Sequence, residues 1–265
     1  MSIEPVFKSG KQLIPYLTAG DPNLETTAQY LDRLAQSRIK IVELGIPFSD
    51  PLADGPVIQA SHQRAIASGS NLKKVFSLLA SKIPADDNAM RRGNEAAVNP
   101  LKVILMLDFN LVFNHGIDAF AADCKKSGVA GVLVPNLPLE DVHGLGVQLK
   151  KTGIAHIHLV SHNTPPERLK RLAAHANGFL YVLSTFGVTG ARDKVSDQAR
   201  DTAEQIKKIC QLPLCVGFGI SRPDHVKNVW TYADGAIVGS ALVEALYRSS
   251  HRLETLSNWI HEFNP

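Results

Sequence analysis

Glu43 stands inside the apolar run Ile41-Val42-Glu43-Leu44-Gly45. A carboxyl group there must find a partner or keep its proton, because burying an unpaired charge is very costly. With a raised pKa it could act as general acid and then general base near neutral pH; a glutamate held by backbone donors is the other reading. The next segment, Ser49-Asp50-Pro51-Leu52-Ala53-Asp54-Gly55-Pro56, carries two more carboxylates. Asp beside Pro and Gly is ordinary turn chemistry, whereas a second carboxylate brought over Glu43 would be functional. Spacing does not choose between Asp50 and Asp54. Three glycine-bearing segments also follow short apolar runs: Gly187-Val188-Thr189-Gly190, Gly217-Phe218-Gly219-Ile220-Ser221 and Gly239-Ser240. Glycines there let backbone N–H groups approach an anion, and Ser240 can open a helix whose N-terminus favours negative charge. Together they imply a phosphorylated small molecule.

The histidines point less clearly. His156 and His158 alternate along one run and share a face, a spacing that can serve a metal. No acidic or histidine partner stands at a matching position, so no metal site is expected. His62, His115 and His162 read as surface or helix residues. No Ser/His/Asp or Cys/His set stands out, and Cys215 in an apolar run reads as packing.

These residues need elements to position them. Short β-branched runs cover Leu13–Thr18, Ile39–Gly45, Val103–Leu107, Gly131–Val134, Ala155–Val160, Phe179–Leu183, Leu214–Gly217 and Gly235–Val238. Amphipathic stretches separate them, among them Leu24–Ser37, Gly116–Ser127, Asp141–Lys151, Pro166–His175, Ser196–Cys210 and Arg222–Tyr232. Strand alternating with helix implies βαβ units and a parallel sheet covered on both faces. Eight such units predict an α/β fold, a (β/α)₈ TIM barrel with extra terminal helical segments, in a single domain over residues 1–265. An open dinucleotide-binding sheet would carry G-x-G-x-x-G after its first strand, where this chain has Thr18-Ala19-Gly20-Asp21-Pro22. In a barrel, function gathers where strands end and βα-loops begin. The polar stretch at residues 81–100, with prolines near both ends, is expected to be a surface insertion.

The chain has 265 residues, 45% hydrophobic, with 28 basic and 25 acidic residues for a net charge of +3. Its Lys and Arg residues are scattered rather than clustered, which argues against a nucleic-acid partner. No apolar run approaches the ~20 residues of a membrane span, and Met1–Lys11 carries no apolar signal core. Three cysteines, none in a C-x-x-C pair, suit reduced thiols in a cytoplasmic protein.

The stretch Val42–Pro56 resembles the signature of the tryptophan synthase α chain family. The similarity continues through Pro15–Pro22, Asn110–Phe113 with Gly116, Gly187–Gly190, Gly217–Ser221 and Asp234–Ala241, and so covers essentially the whole chain. It implies a (β/α)₈ barrel that cleaves indole-3-glycerol phosphate to indole and glyceraldehyde 3-phosphate. The partner would be a β chain that carries pyridoxal phosphate, in an α2β2 tetramer, with no cofactor in this chain. The resemblance makes Glu43 the proton shuttle, and gives Asp54 the indole N–H and the positive charge of the indolenine. Asp50 then falls back to a turn. It places Tyr181 beside the glutamate, Tyr16 and Phe218 in the indole pocket, and Gly190, Gly219, Gly239 and Ser240 at the phosphate. Thr189 is expected to bond Asp54 when a lid formed by residues 191–196 and Phe48–Pro56 closes.

Two departures from the family pattern stand out. Asp108 replaces an aromatic in Met106-Leu107-Asp108-Phe109-Asn110, beside the indole pocket. Asn136 replaces an acid in Pro135-Asn136-Leu137-Pro138, where loops meet the β chain. They motivate one alternative, a weakly active subunit that mainly activates its β chain; another is a stand-alone lyase that releases indole.

Overall fold

In the computed structural model, eight parallel strands follow one another around a ring: β1 (Gln12–Thr18), β2 (Ile41–Gly45), β3 (Lys102–Met106), β4 (Val129–Leu133), β5 (Ala155–Val160), β6 (Leu180–Leu183), β7 (Leu214–Gly217) and β8 (Gly235–Val238). The last pairs with the first from Gln12 opposite Gly235 to Pro15 opposite Val238, which closes the barrel. The structure describes residues 2–52, 54–83, 101–141, 144–183 and 197–264. The expected (β/α)₈ architecture is therefore present, with strand ends displaced from the sequence reading by at most two residues. Most of the polar stretch expected as an insertion lies outside the described residues; Ser81 and Lys82 complete a helix.

Period-two alternation sorts the strands between two cores, with one irregularity in β4, where the register with β3 shifts between Val103 and Ile104 and Val129 and Val132 both face outward. Ile14, Ile41, Ile104, Ile157 and Ile237 fill the barrel interior. Val42, Leu44, Val103, Leu105 and Val132 face outward into the layer shared with the helices. Both faces are buried, so the strands read as nearly continuous apolar runs. Glu43 shares the parity of Ile41 and thus points inward.

Two helices, α3 (Pro56–Ala67) and α4 (Leu72–Lys82), fill the crossover from β2 to β3; a short α1 (Glu4–Phe7) and an α2 (Leu24–Ala35) precede them. Pro56 at the first position of α3 uses a site where a missing N–H costs nothing. Asn71 caps α4 by accepting from the Lys74 N–H at 3.0 Å. Next come α5 (Phe109–His115), α6 (Ile117–Lys126), α7 (Leu145–Thr152), α8 (Pro166–His175), α9 (Asp197–Lys207), α10 (Pro223–Val229), α11 (Ser240–Arg248) and α12 (Arg252–Phe263). The terminal helices expected from sequence are α1 and α12. Ile3, just ahead of α1, is fully buried in the interior cluster, and Glu4 accepts from the Gly178 N–H at 2.7 Å. Among the described residues no helix is long and apolar enough to cross a membrane, and all three cysteines are free.

Two tyrosines lie across neighbouring strands because glycines make room for them. A Cβ on Gly45 would sit 2.0 Å from the Tyr16 Oη, and one on Gly217 would sit 2.1 Å from the Tyr181 Oη. No side chain fits at either position without moving a ring. Gly217→Ala is therefore expected to destabilise the barrel by about 1–3 kcal/mol, the usual cost of overpacking. Equilibrium urea unfolding measures it, and an unchanged midpoint would show that the Tyr181 ring has somewhere else to go.

Candidate active site

A cleft opens at the C-terminal ends of the strands. Tyr16 of β1, Glu43 of β2, Tyr181 of β6 and Asp54 from the β2–α3 loop form one side of its lining. Phe218, Gly219, Gly239 and Ser240, which follow β7 and β8, supply the other. Every expected site residue that the structure describes thus lines a single cleft. Thr189, Gly190 and the expected lid segment 191–196 lie outside the described residues.

Strand register explains the carboxyl's place. Glu43 pairs with Tyr16 on one side and Ile104 on the other, two residues before the last inward position, Gly45. It is 3% exposed, and no hydrogen bond to its carboxyl is found among the described residues. Burial pushes its pKa up to about 8, with the charge of Asp54 adding to the effect. Asp54 is buried as well, and burial alone pushes it up to about 6. Near neutral pH the two carboxyl groups therefore prefer opposite states, Glu43 protonated and Asp54 ionised. Burial, and after it the neighbouring carboxylates, hold the Tyr16 and Tyr181 phenols well above their ordinary range, so both stay neutral.

The β2–α3 loop separates the two aspartates between which spacing did not choose. Asp50 is exposed, and its carbonyl accepts from the Leu52 N–H at 2.9 Å, ordinary turn geometry. Asp54 is anchored by its backbone: its N–H donates to the Pro51 carbonyl at 3.0 Å, and its carbonyl accepts from the Gln59 side chain at 2.7 Å. Its carboxylate is left facing the cleft.

Across the cleft the chain takes an uncommon turn. Phe218 and Gly219 are successive left-handed residues, with φ of 71° and 73°. Phe218 is the only non-glycine with positive φ among the described residues, which marks the turn as held by its surroundings. Its ring meets Tyr181 edge-on, with centroids 6.0 Å apart. Gly239 caps α11, whose first residue is Ser240, so the helix N-terminus opens onto the cleft. A Cβ on Gly239 would meet Tyr16 at an ordinary 3.6 Å.

A larger cavity of about 290 Å³ continues from the cleft through Tyr16, Asp54 and Met106. Both departures from the family pattern lie on its wall, and they bond to each other. The Asp108 carboxylate accepts from the Asn136 side-chain amide at 2.9 Å and from the Asn110 N–H at 2.8 Å, capping α5. The Asn136 side-chain Oδ1 in turn accepts from the Phe109 N–H at 2.9 Å.

Sequence reasoning missed His62. It does lie on a helix, α3, but is only 5% exposed and stands 3.7 Å from the Asp54 carboxylate. The available signal was its place in the stripe Ile58, Ser61, His62, Ala65, which is the buried face of that helix. His156 and His158 do share a face, with ring centroids 4.2 Å apart. That face is turned from the cleft: His158 lines a separate cavity together with Arg168 and Leu172 of α8. Among the described residues no group of three or more His, Cys, Asp and Glu could hold a metal ion.

Comparison with known proteins adds an independent result. A sequence profile described as tryptophan synthase alpha chain matches residues 6–263. The tryptophan synthase alpha chain of Petrotoga mobilis is 41% identical over 248 residues, covering 94% of this chain and 91% of the relative. That of Methanocaldococcus jannaschii is 43% identical over 237 residues, covering 89% and 80% respectively. Among solved structures, a tryptophan synthase complex from Pyrococcus furiosus superposes with a TM-score of 0.82 at 34% identity, over 96% of this chain and 98% of the other. A second structure, Mycobacterium tuberculosis tryptophan synthase, gives 0.85 at 30% identity, over 98% and 96%. A further Pyrococcus furiosus structure, with a TM-score of 0.83 at 36% identity over 96% and 98%, is described as the tryptophan synthase α2β2 complex. With the profile spanning nearly its whole length and relatives above 40% identity, this chain belongs to the tryptophan synthase alpha chain family.

Proposed function

We propose that this chain is a carbon–carbon lyase of tryptophan biosynthesis, which cleaves indole-3-glycerol phosphate to indole and glyceraldehyde 3-phosphate. The observation that carries the reading is the pair of buried carboxyl groups with opposite preferred protonation in one cleft, facing a glycine turn and a helix N-terminus. Retro-aldol cleavage needs a proton on indole C3 and the loss of one from the adjacent glycerol hydroxyl. Glu43, protonated at the start, gives its proton to C3. The resulting indolenine cation is stabilised by the Asp54 carboxylate, which accepts a hydrogen bond from the ring N–H. Glu43, now a carboxylate, takes the hydroxyl proton as the C–C bond breaks and the ring regains its electron pair. The proton is lent and returned, so the step needs no cofactor from this chain.

The remaining residues bind and orient. Tyr16 and Phe218 flank the indole, and the neutral Tyr181 packs beside Glu43. Gly219, Gly239 and Ser240, with Gly190, present backbone and hydroxyl donors to the phosphate. Thr189 keeps its assignment as the residue that bonds Asp54 when the lid closes. The chain acts as one barrel domain in the cytoplasm, paired with a β chain in an α2β2 assembly, and pyridoxal phosphate belongs to that β chain. Asp108 and Asn136 bond each other and leave Glu43 and Asp54 on the cleft, which favours the lyase over a subunit that mainly activates its β chain.

Glu43→Gln keeps the side-chain size and removes both acid and base function. Its kcat is expected to fall by at least ~10²-fold with substrate still bound; near-normal turnover would remove Glu43 from the mechanism. The pH dependence of kcat/KM should be a bell. It rises as Asp54 ionises near about 6 and falls as Glu43 loses its proton near about 8. A profile flat from pH 5 to 9 would contradict these assignments. At the phosphate site, Gly239→Ala should fold and bind, because its Cβ has room. Gly239→Asp puts a negative charge against the phosphate and should raise KM strongly; equal KM values for the two variants would count against the site.

A further inference from the structure

A buried imidazole must settle both ring nitrogens. At His62 the Phe48 N–H donates to Nδ1 at 3.0 Å, so Nδ1 accepts and the neutral ring carries its proton on Nε2. That N–H faces the Tyr16 Oη at 3.3 Å and the Asp54 Oδ2 at 3.7 Å. No hydrogen bond to the Asp54 carboxylate is found among the described residues, and its backbone is fixed separately through Pro51 and Gln59. We infer that His62 is a positioning residue for Asp54: its Nε2–H, fixed by the Phe48 amide, aims the carboxylate into the cleft and steadies its anionic form.

The ring's neutrality matters. Burial pushes its pKa down to about 4, so it presents an N–H to Asp54 without a positive charge that would compete with the indolenine for the carboxylate. Tyr16 is the nearer acceptor in this arrangement, and donation to Asp54 requires its carboxyl to approach by a few tenths of an ångström from 3.7 Å. Phe48 belongs to the same loop as Asp54. A shift of that loop which withdraws the Phe48 amide frees Nδ1 to take the proton and removes the donor from Asp54, so the histidine ties loop position to the state of the carboxylate. The ionisable groups around it are Asp54 itself, Tyr16 from β1, and Asp21. Asp21 is held by Arg64 in a two-pronged pair at 2.8 and 2.6 Å.

The inference rests on the role proposed for Asp54, and the test separates the two. In the full chain, the Asp54 carboxyl is titrated by ¹³C NMR, and kcat and KM are measured against pH, for wild type, His62→Leu and His62→Gln. His62→Leu should raise the Asp54 midpoint by about one pH unit, shift the acid limb of kcat/KM with it, and lower kcat about tenfold with a smaller change in KM. His62→Gln, whose amide nitrogen reaches near the position of Nε2, should restore both. An unmoved midpoint in folded His62→Leu, or a folded Gln variant that rescues neither readout, overturns the inference. If the leucine variant does not fold, His62→Asn, too short to reach Asp54, replaces it with the same expectations. Wild-type turnover in Asp54→Asn would instead overturn the role of Asp54, and the NMR midpoint would still decide for or against His62.

Discussion

The Glu43 carboxyl sits on the inner face of a barrel whose neighbouring inward residues are isoleucine, cysteine and tyrosine, and the rest of the site depends on that burial. Removal from water is what keeps the proton on Glu43 at neutral pH. The same desolvation acts on Asp54, but less, so one carboxyl stays acid while its neighbour becomes anion. The cost falls on the fold. A carboxyl whose pKa is raised in the folded state favours folding less as pH climbs from the usual carboxylate range towards about 8. A purely apolar barrel would avoid that cost and could move no protons.

Holding two carboxyl groups in a dry cleft requires neighbours that neither neutralise nor crowd them. Tyr16 and Tyr181 do this because burial keeps their phenols protonated. Their rings occupy space that Gly45 and Gly217 leave free, so two missing side chains on the strands set the width of the cleft. On the far side the left-handed pair Phe218-Gly219 and the start of α11 line the opening. The two carboxyl groups and the glycine turn with the start of α11 therefore come from opposite sides of one barrel mouth.

Asp108 and Asn136 show why substitutions are better read in pairs than singly. Each alone departs from the family pattern; together they make one hydrogen-bonded unit that ties the end of β3 to the loop after β4 and caps α5. An acid at the end of one strand and an amide at the end of the next satisfy each other's donors and acceptors, so the wall of the larger cavity is kept by different chemistry.

The sequence by itself determined the barrel. Eight apolar runs alternating with amphipathic helices leave a parallel sheet little choice, and that pattern is local, readable as period two against period 3.6. It also exposed Glu43 as a misfit in an apolar run, and marked the glycines after the last strands as residues that could admit an anion. Only the tertiary structure decided the rest. The choice between Asp50 and Asp54 turns on which one the loop folds over the cleft, set by contacts with Pro51 and Gln59 rather than by residue type. His62 is ordinary on its helix until the barrel sets that face against Asp54 and Tyr16, and Gly45 and Gly217 look like any strand glycine until a tyrosine from the next strand crosses them. Periodicity is written along the chain, whereas desolvation, register and the state of a proton depend on which distant residues are brought together, and closure of the barrel brings them together.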